Sequence, residues 1–124
     1  MKQEQAHIIE SRDSELYSLA YLRTISEDNE DFIFESLHIF KFSVAVKIIE
    51  LKTAAIKGNN KKAAEIAHNI KPSFQMLSIN YAREICDDIY FGKSTKTIEA
   101  LAEELETEFL KIIIVLENDF PQLK

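Results

Sequence analysis

Ala63 to Ile79 read AAEIAHNIKPSFQMLSI, and the way this stretch winds decides what the rest of the chain must do. As an α-helix at 100° per residue with His68 at zero, Ile66, Ile70 and Leu77 fall within roughly 20° of the opposite side. Ala63 and Phe74 flank them. Ala64, Glu65, Lys71, Pro72 and Gln75 all lie within roughly 60° of His68 on the same wheel. The one histidine of the stretch therefore sits at the centre of the face that cannot be core, and its neighbours are small, charged or polar.

Those residues carry a resemblance. His68-Asn69-Ile70-Lys71-Pro72-Ser73, followed by Leu77, resembles the H-x-x-K-G-S-x-x-x-L-G signature of histidine-containing phosphotransfer (HPt) domains, and the likeness extends more loosely from about Leu16 to about Glu117. Pro72 stands where the family usually has glycine, and Ser78 where a second glycine is common. A position on the following helix that usually holds glutamine is Tyr90 here.

The whole composition fits a helical chain. The 124 residues suffice for one domain with a real core, 46% are hydrophobic, and only two glycines and two prolines are available to make turns. A net charge of −6 disfavours nucleic acid and anionic membrane as partners. Cys86 is the sole cysteine, so an intramolecular disulfide is impossible and a reducing compartment fits. With no signal-peptide-like run and no membrane-length apolar run, the expectation is a cytoplasmic protein.

Taken in order, residues 1–13 are polar and expected to fray, and His7 lies among them as a solvated side chain. Ser14 is expected to cap a short helix to about Ile25, with Leu16, Leu19, Ala20 and Leu22 as its apolar side. The acidic run SEDNED should start a second helix near Asp28 or Glu30. Ile33, Leu37, Phe40, Val44, Ile48 and Leu51 recur at spacings of three and four, a buried stripe. Phe34, Phe42, Val46 and Ile49 make this helix unusually apolar, some of it core and some an exposed patch. His38 is expected to be a partly buried structural residue. Gly58-Asn59-Asn60 ends the helix and caps the next. The His68 helix should run to about Ser78 or Ile79, with Asn80 capping a fourth helix to about Phe91. Ala82, Ile85, Cys86 and Ile89 form that helix's apolar side. A last helix from Thr95 or Thr97 to about Asn118 presents Ile98, Leu101, Leu105, Phe109, Ile112 and Leu116. Ile112 to Leu116 is apolar nearly all round, which predicts a helix that is central or covered on two sides, and Phe120-Pro121 should end the fold. Connections this short imply antiparallel neighbours. The fold expected is all-α: an antiparallel up-and-down four-helix bundle over residues 14–120, with an additional short N-terminal helix. The absence of a leftover apolar heptad seam favours a monomer.

The resemblance implies a carrier of phosphoryl groups. His68 would take the group from the aspartyl phosphate of a hybrid sensor kinase's receiver domain and yield it to that of a response regulator, with any Mg²⁺ on the receiver and no cofactor of its own. A generic imidazole, with a pKa of about 6.5, is largely neutral at pH 7 and nucleophilic. Lys71, one turn on, would supply a cation; Gln75 could hydrogen-bond the imidazole or a phosphoryl oxygen. Ala64 and Pro72 are low enough for close approach, Glu65 borders the face, and Phe34 and Phe42 could form a sticky rim. Pro72 lacks an N–H and leaves the His68 carbonyl without its helical partner, so a local bend is expected. Ser73 turns inward and should back-bond to a helical carbonyl; Tyr90 and Lys93 are second-layer candidates. Glu65 and His68 are one metal-compatible pair with a lysine beside them, which makes no metal site. Without a phosphate-cradling glycine loop the chain is no kinase. The alternative is a non-enzymatic helical interaction module whose His68 is not phosphorylated.

Overall fold

The computed structural model describes residues 16–124, so the expectations for residues 1–13, for His7 and for a Ser14 cap lie outside the described residues. Five α-helices occur within that range: α1 (Ala20–Ser26), α2 (Glu30–Ile56), α3 (Asn60–Met76), α4 (Asn80–Phe91) and α5 (Ile98–Asp119). A single 3-10 turn, Pro121–Leu123, follows, and no strand occurs among the described residues. The protein is all-α.

Local chemistry sets most boundaries. Asn29, Asn59 and Thr97 cap α2, α3 and α5, each side chain accepting from the backbone N–H three residues on. Each such cap contributes about 1 kcal/mol. Gly58 and Gly92 adopt φ of 73° and 66° just past α2 and α4, where a side chain would be strained. The end of α3 uses the same geometry without glycine. Ser78 takes φ 56°, its N–H donates to the Gln75 carbonyl at 3.0 Å, and the Ile79 N–H donates to Phe74 at 2.9 Å. Ile79 and Phe74 are both buried, the apolar contact that accompanies this closure. Because the turn is so short, Ile79 rather than Asn80 stands at the N-cap of α4, without a side-chain cap.

Packing joins α2 to α3 and α5, and α4 to α3 and α5. Lys41 pairs with Glu117 at 2.8 Å and Lys52 with Glu106 at 2.7 Å, so α2 and α5 run antiparallel. Phe40 anchors the interior, edge-on to Phe74 at 5.7 Å and 5.5 Å from Phe109. The expected stripe of α2 is buried throughout, as are Ala82, Ile85, Cys86 and Ile89 of α4. Across the α4–α5 contact, Glu104 accepts from Lys96 Nζ at 2.7 Å and from the Tyr81 hydroxyl. These two donors, Lys96 first, hold the Glu104 carboxyl below its usual range.

Further expectations are corrected. Tyr17 to Leu19 are not helical: the Ser18 N–H donates to the Leu77 carbonyl at 2.8 Å, and the Tyr17 hydroxyl donates to Asp119 at 2.7 Å. Tyr17 is buried and Ala20 exposed, while Leu19 and Leu22 are buried as expected. The fold does not end at Phe120-Pro121, because Leu123 is buried and Lys41 donates to its carbonyl. Helix α5 packs on both α2 and α4, burying Ile112, Ile113 and Leu116, but Leu110 and Ile114 are exposed. Finally, a leftover apolar seam does exist. Ile39, Phe42, Val46 and Ile49 are exposed, and on a 100° wheel they centre roughly 170° from the core stripe. Of the other aromatic residues on α2, Phe34 is half-buried, edge-on to Phe120 at 5.6 Å, and His38 is half-buried and stacked on Phe42. Among the described residues, no helix is long and apolar enough to cross a membrane.

Candidate functional site

Asn59 starts α3 in the register that buries Ala63, Ile66, Ala67, Ile70 and Phe74, and this register turns His68 outward. His68 is exposed at mid-helix. Its ring does not stand alone. The Tyr90 ring lies on it with centroids 4.7 Å apart and planes 25° from parallel, and Phe91 meets Tyr90 edge-on at 4.9 Å. Such a stack contributes about 0.5–1.5 kcal/mol and restricts how the imidazole swings. Tyr90 reaches His68 because α3 and α4 run antiparallel. The same register sets Lys71 against Asp87, three residues before Tyr90, with Nζ 2.7 Å from the carboxylate. Arg83, one turn earlier on α4, approaches Asp87 at 3.9 Å.

The remaining sequence candidates divide. Glu65, Pro72 and Gln75 are exposed on the His68 face, whereas Ala64 is half-buried. Helix α3 continues through Pro72 to Met76. Among the described residues, the hydroxyls that bond the carbonyl four residues back are those of Thr24, Ser26, Thr53 and Thr107; the half-buried Ser73 is not among them. Lys93 is exposed, its ammonium 5.2 Å from the Phe91 centroid, so it caps the aromatic row rather than the histidine. Asp87 and Arg83 are the residues that sequence reading missed. A signal for Asp87 was present, since pairing position 68 with 90 in antiparallel helices puts 71 opposite 87.

The arrangement offers an accessible imidazole, an aromatic platform that limits its motion, and an ammonium held by a carboxylate. Cys86, next to Asp87 in sequence, takes no part: burial pushes its thiol up to about 12, with the Asp87 charge adding to the effect and Lys71 opposing it. Among the described residues, no group of three or more His, Cys, Asp or Glu side chains could hold a metal ion. Scanned against protein-family models, and searched against curated proteins and solved structures, the chain finds no match.

Proposed function

We propose that this chain is a histidine phosphotransfer protein of a multistep phosphorelay, its helices forming an antiparallel up-and-down four-helix bundle in the cytoplasm. The observation that carries the reading is the exposed, Tyr90-stacked His68 at mid-helix, opposite the buried face of α3. A receiver domain of a hybrid sensor kinase would present its aspartyl phosphate to this face. The lone pair of a His68 ring nitrogen, Nε2 by the family resemblance, forms the N–P bond as the P–O bond to the aspartate breaks. That bond's electron pair leaves with the aspartate carboxylate, and the proton on the other ring nitrogen stays in place. Transfer to the response regulator's receiver reverses these steps. Lys71 supports the reading as a cation one turn away, provided the phosphoryl dianion draws it from Asp87.

The test is incubation with a phosphorylated receiver domain, followed by measurement of label on this chain and of its acid lability. Wild type should carry acid-labile, base-stable label, and His68→Ala should carry none while keeping its helical circular dichroism. His38→Ala should label normally. Undiminished labelling of His68→Ala overturns the proposal and leaves the interaction module as the better reading.

A further inference from the structure

Helix α2 is apolar on two opposite faces, and among the described residues only one of them is covered. The stripe Phe32, Ile39, Phe42, Val46, Ile49 and Ile56 follows steps of three, four and seven, with Glu35 and Thr53 completing the heptads. Ile49 is 63% exposed, Phe42 60% and Ile56 71%, although the residues between them are core. At 1.5 Å per residue the stripe is roughly 36 Å long. Its α5 flank carries Leu110 and Ile114, both exposed, on the side of α5 where Glu106 and Glu117 reach Lys52 and Lys41. A shallow apolar depression lined by His38, Ile39, Phe42 and Ser43 lies on the same face.

We propose that this face is the seam of a homodimer, with α2 packed antiparallel on α2 of a second copy about a two-fold axis near residue 44. Three observations select that occupant. The stripe is symmetric about residue 44, so Phe42 meets Val46, Ile39 meets Ile49 and Phe32 meets Ile56, the self-complementarity a two-fold contact requires. The charges reverse along the helix: residues 27–35 hold five acids and no base, and residues 47–62 hold five lysines and one glutamate. Antiparallel pairing sets Asp31 against Lys57 and His38 against Glu50, whereas a parallel pair would stack acid on acid. The apolar surface offered is on the order of 800 Å² per copy, the amount each partner buries in a standard stable interface. The inference does not depend on the chemistry of His68, which leans toward α4 through Tyr90.

Sedimentation velocity of the full chain, from about 1 to about 200 µM, reads the equilibrium in the range where interfaces of this size dissociate. Wild type should pass from monomer to dimer. Phe42→Glu and Ile49→Glu, both at exposed positions, should each weaken association by at least about 30-fold with unchanged helical circular dichroism. Asp31→Lys and Lys57→Asp should each weaken it several-fold, and the double variant should restore it. A wild type that stays monomeric throughout, or a Phe42→Glu variant that associates like wild type, overturns the proposal. A double variant no tighter than either single overturns the antiparallel register. A monomeric wild type whose Phe42→Glu variant accepts phosphoryl slowly would assign the face to a receiver domain instead.

Discussion

Removing the Lys71 side chain tests the candidate site at the point where structure and sequence differ most. The ammonium is held by Asp87 at 2.7 Å, with both side chains about three-quarters buried. To meet an incoming phosphoryl group it must loosen that contact, at a cost of about 0.2–1 kcal/mol. A charge-assisted hydrogen bond to the phosphoryl would contribute about 1.5–3 kcal/mol. The net is about 0.5–2.8 kcal/mol, so Lys71→Ala should slow acceptance roughly 2- to 110-fold. Asp87→Asn should do the opposite, because it removes Lys71's competitor: transfer should be roughly 1.5- to 5-fold faster. The double variant should fall between wild type and Lys71→Ala, because no orphaned carboxylate then faces the phosphoryl. Single-turnover rapid-quench transfer from a phosphorylated receiver measures all four proteins, with Lys61→Ala as the exposed control. Equal rates for Lys71→Ala and wild type would refute the reasoning. So would Asp87→Asn slowing transfer as much as Lys71→Ala, since the pair would then act only by positioning.

Tyr90→Ala should slow transfer about 2- to 10-fold through loss of the stack, and Tyr90→Phe should not, since the ring and not the hydroxyl contacts His68; the same quench assay decides. Ser78→Gly should stabilise the fold by about 0.5–1 kcal/mol, because a left-handed φ strains serine more than glycine while glycine costs more entropy on folding. Thermal melts should show a rise of about 2–4 °C. Cys86 should resist a thiol reagent at pH 8 until the chain is unfolded by guanidinium. Its folded pKa lies above the unfolded one, so the native state keeps a proton that the unfolded state loses. Stability should therefore fall from about pH 9 toward 12, more steeply in wild type than in Cys86→Ala by urea melts.

Much of the fold was legible because its signals are local. Asn59 and Thr97 act as caps where cap-type residues precede apolar periodicity, and Gly58 and Gly92 mark the helix ends. The core stripe of α2 follows directly from spacing. What escaped depends on partners distant in sequence: nothing near Tyr17 announces Leu77 or Asp119, and nothing near Leu123 announces Lys41. The second apolar face of α2 was visible as excess, but spacing alone did not separate buried from bare, because both faces repeat at three and four. At the candidate site, the outward turn of His68 was legible from its own helix. The Asp87 partner of Lys71 went unread, although carrying the 68–90 pairing three residues along two antiparallel helices would have found it.

The hydrogen bonds at Tyr17 and Ser18 bear on how the chain could be rewired. Residue 17 is tied to residue 119 near the last helix's end, and residue 18 to residue 77, so both ends of the described chain emerge at one pole. The exposed connection Gly92–Thr97, between the end of α4 and the start of α5, lies at the other pole. A Gly/Ser linker joining the ends of the full chain, with new termini opened near Lys93 and Ser94, would preserve α1 to α5 and the described contacts of His68. Circular permutation would then move the His68 helix from the middle of the chain toward its C-terminal end. It would also alter the order in which the elements leave the ribosome and give a fusion partner an attachment point at the opposite end of the molecule from the native one.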